Sequence, residues 1–277
     1  MKFLCLMITF CLCSNFYGQE SNKKLQQNDK NIKKNSNTIS KKNQLPQPSK
    51  KAKWITNWND YTKKKNKLFP KDWVLKGTKW GVPSTSFYIQ KDPQWKQNVL
   101  VVDADKSTST IIYDLSDKVD LKKTPIMRWC WKAQELPAKA DGRVKGKDDQ
   151  VLGIYIGTGR IKQKSIAYRW ETETPKGHIG KISYGGGFVT VKWFCVNNKE
   201  DKIQKWVTVE RNIADDYKKA YGFIPNDFAI TIAGNSQYTE SHGVGMVAFI
   251  EFIEKPTVKT AVKNTEKVVS KKKSSKL

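Results

Sequence analysis

The chain has two histidines and five cysteines in 277 residues, and neither type is set out for catalysis or metal binding. His178 and His242 have no cysteine or acid nearby at metal-ligand spacing. Neither G-x-S-x-G nor H-E-x-x-H occurs, so two common hydrolase signatures are missing. The glycine-rich run GHIGKISYGGG, Gly177 to Gly187, lacks the lysine-serine ending and the helix of a phosphate loop, and reads as a mobile loop between strands. Arginine is scarce too, standing only at positions 128, 143, 160, 169 and 211. The positive charge is therefore lysine, a hydrated point charge without the planar fork that reads phosphates and bases. That balance argues against nucleic acid as a partner, and no cofactor, metal or catalytic residue is expected. The apolar run Phe3 to Cys13 is too short to span a bilayer.

That run follows a lysine and precedes small and polar residues, the pattern of a secretory signal peptide over residues 1–18, with Gln19 opening the mature chain. Lipoprotein anchoring is the alternative, but Leu4, Phe10 and Leu12 precede Cys5, Cys11 and Cys13 where a small residue is usual. The expected location is periplasmic or extracellular, with no transmembrane segment after cleavage. Cleavage leaves Cys130 and Cys195, which an oxidising compartment would let pair and which also suit small apolar core positions.

The formal charge of +25 is concentrated at the ends. Gln19 to Lys53 carries ten lysines against Glu20 and Asp29, and Glu254 to Leu277 carries eight against Glu254 and Glu266. The first segment, residues 19–53, has too few large apolar side chains to offset ordering entropy and is expected to be a disordered linker. The second, residues 254–277, repeats lysine every fourth position from Lys255 to Lys271 and is expected to be a disordered or weakly helical tail. Such a field suits an anionic envelope polymer or an acidic protein surface, and it also serves plain solubility.

Between them, residues 54–253 form one domain of a length ordinary for a single all-β unit. NVLVVDAD, STIIYDL, PIMRWCWKA, DQVLGIYIG, SIAYRWETE, FVTVKWFCV, KWVTVERNI, FAITIAG and GMVAFIEFI read as strands separated by turn residues. Two short helices are predicted, WITNWNDYTKKKNKL at the domain entrance and IADDYKKAYG, capped by Asn212 and ended by Gly222. The predicted fold is all-β, a jelly-roll type β-sandwich with one or two short helices and disordered lysine-rich tails.

MRWCWKAQELP, KGKDDQVLGIYI, AYRW and KWVTVERNIADDYKKAYGFIP, in that order and spacing, resemble the bacterial exported family known as domain-of-unknown-function family 3047. The resemblance covers roughly Leu68 to Phe252 and implies a galactose-binding-type or related jelly-roll sandwich without an established activity. The family's recurring features fall on Trp129, Trp131, Asp148, Asp149, Tyr168, Trp170, Arg211, Asn212, Asp216 and Tyr217. Two departures stand out. Cys130 sits where the family tends to have arginine, and Asn235 and Gln237 replace the carboxylates of an acidic D-x-D-N-T stretch.

Strand parity assigns faces to these residues. Trp129 and Trp131 share the face of Met127 and are expected in the core, while Arg128, Cys130 and Lys132 face the other way. In DDQVLGIYIG, Asp148 and Gln150 fall with the apolar Leu152, Ile154 and Ile156, and Asp149 falls with Tyr155 on the opposite face. Arg211 lies at the core-side end of its strand and needs an acidic partner, Asp148 or Asp216, in a structural clamp that also includes Tyr217. The carboxylate doublets Asp148–Asp149, Glu171–Glu173 and Asp215–Asp216 raise glycoside hydrolysis, but adjacent strand residues point apart and most such acids are solvated. The ligand-binding candidates are Asp149, Tyr155, Tyr168, Trp170, Trp80 and Trp95, because aromatic rings stack on sugars as well as packing in cores. The reading is an exported, non-enzymatic sandwich that binds a cell-envelope or extracellular glycan. A structural subunit in an envelope or periplasmic assembly is the alternative, and a polysaccharide-acting enzyme comes third.

Overall fold

The computed structural model describes residues 45–159 and 162–255. The expected signal peptide, most of the expected linker and nearly all of the C-terminal tail lie outside these residues. The chain runs through β1 (Trp54–Ile55), β2 (Tyr61–Lys64), β3 (Lys67–Pro70), β4 (Val74–Lys76), β5 (Ser86–Lys91), β6 (Asn98–Asp105), β7 (Thr108–Asp114) and β8 (Ile126–Glu135). It continues through β9 (Gln150–Thr158), β10 (Gln163–Trp170), β11 (Ile179–Tyr184), β12 (Val189–Asn197), β13 (Val207–Asn212), helix α1 (Ile213–Tyr221), β14 (Ala229–Asn235) and β15 (His242–Ile253).

Two sheets form the sandwich. One is ordered β13-β8-β15-β6-β5, with β1 pairing on β15, and the other β11-β12-β10-β9-β14-β7-β4. Their pairings are antiparallel except for β10 with β12, which is parallel. Alternation on each strand supplies the core: Leu100, Val102, Trp129, Trp131, Ile250 and Phe252 from the first sheet meet Ile111, Ile154, Ile156, Tyr168, Trp170, Ile230 and Ile232 from the second. Trp129 and Trp131 are fully buried and meet edge to face, 5.4 Å apart. Trp129 packs on Tyr168 at 5.2 Å and Trp131 on Trp170 at 5.7 Å, so four rings from both sheets form one cluster. The Trp131 indole N–H donates to Asn197 Oδ1 at 3.0 Å, which satisfies its polar atom in the dry interior.

Helix α1 begins at Asn212, whose side chain accepts from the Asp215 amide, and ends at Gly222 in the left-handed region, φ 81°. Its tyrosines fasten it to the second sheet. Tyr217 donates to the Lys164 carbonyl, and Tyr221 donates to the Ser165 carbonyl at 2.7 Å.

Three expectations about local structure are overturned. WITNWNDYTKKKNKL is not a helix but contributes β1 and the β2–β3 hairpin, because Lys65 and Asn66 both take positive φ (45° and 64°) and make the two-residue turn that matches strand twist. GHIGKISYGGG contains β11, an edge strand on β12, rather than forming only a loop. Part of the expected disordered linker is packed on the sandwich: the Ser49 amide donates to the buried Glu251 at 2.8 Å, and Arg128 donates to the Gln47 carbonyl at 2.9 Å. These bonds hold the segment on Arg128 of β8 and Glu251 of β15, which themselves form an ion pair.

Among the described residues, no group of three or more histidines, cysteines or acids is placed to hold a metal ion. Cys130 and Cys195 are buried free thiols, and burial pushes each up to about 12. His242 has each ring nitrogen engaged, Nε2 with Asp103 at 3.0 Å and Nδ1 with Glu135 at 3.1 Å. The Asp103 bond, with Glu135 in support and against some desolvation, raises its pKa above 6.5. A histidine with a raised folded-state pKa adds stability that is complete below the unfolded value and vanishes as pH climbs through the folded one. Urea midpoints measured across that window should therefore fall with rising pH, and His242→Gln should flatten that part of the profile. An unchanged slope in the variant would show that the pairing contributes nothing.

Candidate functional site

The second sheet turns its other face outward, and across it runs a cleft of about 590 Å³. The residues opposite the core supply its floor: Thr110 on β7, Thr231 and Ala233 on β14, Tyr155 on β9, Ser165 and Arg169 on β10, and Val191 and Trp193 on β12. Asp148, Gln150, Asn235, Gln237 and Tyr238 close one end. No lysine lines it among the described residues, although the chain is strongly basic.

Arg169 is the centre of this floor. It is 2% exposed, and its guanidinium lies 4.7 Å above the Trp193 ring. It pairs with Asp148 at 2.6 Å and with Glu171 at 2.6 Å, and it donates to Gln150 Oε1. Burial opposes the cation, but Glu171, followed by Tyr155 and Asp148, raises its pKa above the usual arginine value. Glu171 is pushed the other way from an ordinary carboxylate: burial raises its pKa, while Arg169 and Thr174 pull it down without cancelling the rise. Its second oxygen accepts from Thr174 Oγ1 at 2.8 Å and from the Gly142 amide at 3.1 Å. Asp148 and Glu171 thus fully compensate the Arg169 cation, and the cluster fixes Gln150 and Asp148 at the cleft.

Two glycines let the aromatic walls lie flat. A Cβ at Gly180 on β11 would stand 2.2 Å from Trp193 Cε2, and one at Gly153 would stand 2.6 Å from Tyr155 Cε2. Only glycine leaves room for those rings at these positions. The Tyr155 hydroxyl accepts from Gln150 Nε2 at 3.0 Å, joining the ring to the Arg169 cluster.

The sequence-derived candidates separate into three groups. Tyr155 lines the cleft. Trp80 is 98% exposed and follows Lys79, whose ammonium lies 5.8 Å over the Tyr238 ring at the cleft end. Tyr168 and Trp170 are fully buried in the core, because with Ile166 they take the inward parity of β10, so neither reaches a ligand. Trp95 is buried against Trp206 at 5.2 Å and Phe249 at 6.2 Å on the other sheet.

Asp149 and Asp148 exchange the faces expected of them. In β9, Ala233 of β14 pairs with Gly153 but Asn235 pairs with Gln150, so one extra residue is accommodated near Val151 and Leu152. This bulge reverses parity for everything before it. Gln150 and Asp148 therefore come out to the cleft, while Asp149 turns in, fully buried, and accepts from Asn235 Nδ2 at 2.8 Å and from the Thr239 amide at 2.8 Å. Asp148 serves Arg169 rather than Arg211. Arg211 instead forms a two-pronged pair with Asp216, both bonds 2.9 Å, and Tyr168 donates to the same carboxylate at 2.6 Å. Arg169, Gln150 and Trp193 escaped selection from the sequence. The alternation Ile166, Tyr168, Trp170 was the available signal, since it sets Arg169 on the face away from the core.

A family model described as a protein of unknown function, DUF3047, matches residues 71–251. The chain belongs to this family. Comparison with curated proteins found no match. Among solved structures, this DUF3047 chain is similar to the CBM22-1 xylan-binding domain of Paenibacillus barcinonensis Xyn10C, at 10% identity over 76% of this chain and 100% of that one, with a TM-score of 0.37. It is also similar to endoglucanase 3 of Trichoderma harzianum from family GH12, at 10% identity over 66% of this chain and 91% of that one, with a TM-score of 0.36. A third similarity is to the enzymatically active domain of bacteriophage CBA120 tailspike protein 4, at 7% identity over 66% of this chain and 20% of that one, with a TM-score of 0.33.

Proposed function

We propose that this DUF3047 protein is an exported binding module that holds a segment of glycan chain in the cleft of its seven-stranded sheet. The observation that carries this reading is the lining itself. Amides of Gln150, Gln163, Asn235 and Gln237 and hydroxyls of Thr108, Thr110, Thr231 and Ser165 surround the Tyr155 and Trp193 rings. Such a surface offers hydrogen bonds to sugar hydroxyls around the half-buried Tyr155 ring, whose carbons suit a sugar face, while Trp193, 2% exposed beneath Arg169, supports the floor from behind. Arg169, the one strong cation among the described lining residues, is already paired with Asp148 and Glu171, so the cleft selects hydroxyls rather than charge. Export rests on the signal-peptide pattern of residues 1–18.

Binding is favoured over cleavage on the same lining. Glycoside hydrolysis needs two carboxyl groups facing the bond at roughly 5–9.5 Å from each other. Asp148 is the only carboxylate among the described lining residues, and it is committed to Arg169. Retention on an array of neutral and acidic glycans tests the proposal. The expected result is retention by a neutral glycan that weakens about tenfold, roughly 1.4 kcal/mol, in both Tyr155→Ala and Gln150→Ala. Retention indifferent to both variants, or none at all, would reject the cleft. In that case, stoichiometric recovery of the protein in a cross-linked envelope assembly would favour the structural-subunit reading.

A further inference from the structure

A second concavity lies at the edge of the sandwich where β4 and β5 meet the β2–β3 hairpin, and its chemistry differs from that of the cleft. β4 is the last strand of one sheet and β5 the last strand of the other, and the β2–β3 hairpin stands beside both. Between them is a groove of about 600 Å³, lined by Lys64, Lys65, Lys67, Phe69, Leu75 and Phe87, with Thr85 and Ser86. That volume falls within the roughly 300–1,000 Å³ usual for small-molecule sites.

The floor is apolar and the rim cationic. Phe69 and Phe87 are buried beneath it, and Leu75 is 40% exposed in its wall. Lys64 sets its ammonium 4.0 Å over the Phe69 ring, while Lys67 sits 4.5 Å over Tyr88 and donates to Ser86 Oγ at 3.2 Å. None of the three lysines has a carboxylate within ion-pair distance among the described residues, whereas nearby Lys71 is paired with Asp60. Thr85 is spent on the Gly234 carbonyl and Ser107, which leaves few hydroxyls for a sugar. Three uncompensated ammonium groups gathered on one rim repel one another, and an anion seated among them relieves that repulsion. Lysine, as a point charge, accommodates a phosphate from several directions.

We infer that this groove binds a single-chain anionic amphiphile, an alkyl chain laid along Phe69, Leu75 and Phe87 with a phosphate head among Lys64, Lys65 and Lys67. The site is independent of the glycan cleft and gives the protein a second contact with the cell envelope. It also differs from the unspecific attraction of the lysine tails, because it demands the chain and the head together.

The probe is dodecyl phosphate, titrated below its self-association concentration into protein purified from its own cells. Dodecyl maltoside and inorganic phosphate serve as the neutral-head and chainless comparators. Saturable binding of dodecyl phosphate is expected, at least tenfold tighter than either comparator. It should weaken at least tenfold in Lys64→Glu/Lys67→Glu and also in Leu75→Asp, whose side chains are exposed enough to change without unfolding the core. Inorganic phosphate binding as tightly would reduce the site to an anion patch and overturn the inference. Equal binding of dodecyl phosphate to both variants would place the ligand elsewhere, on the tails for instance, and overturn it as well.

Discussion

Arg169→Ala is expected to lower stability by about 3–5 kcal/mol and to abolish retention by glycan. The stability term follows from what is left behind. Glu171 has no exposure, and in the variant it would keep only Thr174 and the Gly142 amide to compensate its charge. The binding term follows from position, because Arg169 anchors Gln150 and Asp148 and lies against Trp193. The sign of the pH dependence separates this account from simple loss of packing. Burial already raises the Glu171 pKa above 4.5, and loss of Arg169 removes the strongest influence that pulls it down. An acid with a raised folded-state pKa costs stability above that pKa, and the cost is relieved as pH falls toward the unfolded value. Urea titrations should therefore show a smaller deficit in mildly acidic buffer than at neutral pH. A deficit identical at both would mean that lost contacts with Trp193, not the stranded carboxylate, dominate.

Trp170→Ala is expected to cost about 3–5 kcal/mol, with any fall in glycan binding explained by unfolding alone. The indole is fully buried, packs on Trp131 at 5.7 Å and donates to the Asn198 carbonyl at 3.3 Å. Truncation opens a large void that close-packed neighbours cannot fill. Trp80→Ala is the comparison, since an indole 98% exposed has almost no packing to lose. Its denaturation midpoint should match the parent protein. If Trp170→Ala kept its stability while losing the glycan, the placement of that ring in the core would be refuted.

These two tryptophans show how far the sequence reaches. Alternation in IMRWCWKA places Trp129 and Trp131 inside because Met127 shares their face and charged side chains occupy the other. The same rule applied to SIAYRW puts Tyr168 and Trp170 inside, and aromatic content alone misleads about them. Parity fails for Asp148, Asp149 and Gln150, where a bulge in β9 appears only once β14 has paired with it. The linker shows a related failure. Its composition predicts disorder, yet the backbone at Gln47 and Ser49 finds Arg128 and Glu251, residues far along the chain that β8–β15 pairing has already brought together.

Composition, strand alternation and the order of a few motifs were enough to determine an all-β sandwich, its family, its aromatic core and the capped helix, because each depends on neighbours within a few residues. Tertiary pairing decided which face is concave, that Arg169 is held by Asp148 from the loop leading into β9, and that the lysines of one hairpin border an apolar groove. These depend on register between strands distant in sequence, where a one-residue shift exchanges the buried face for the exposed one.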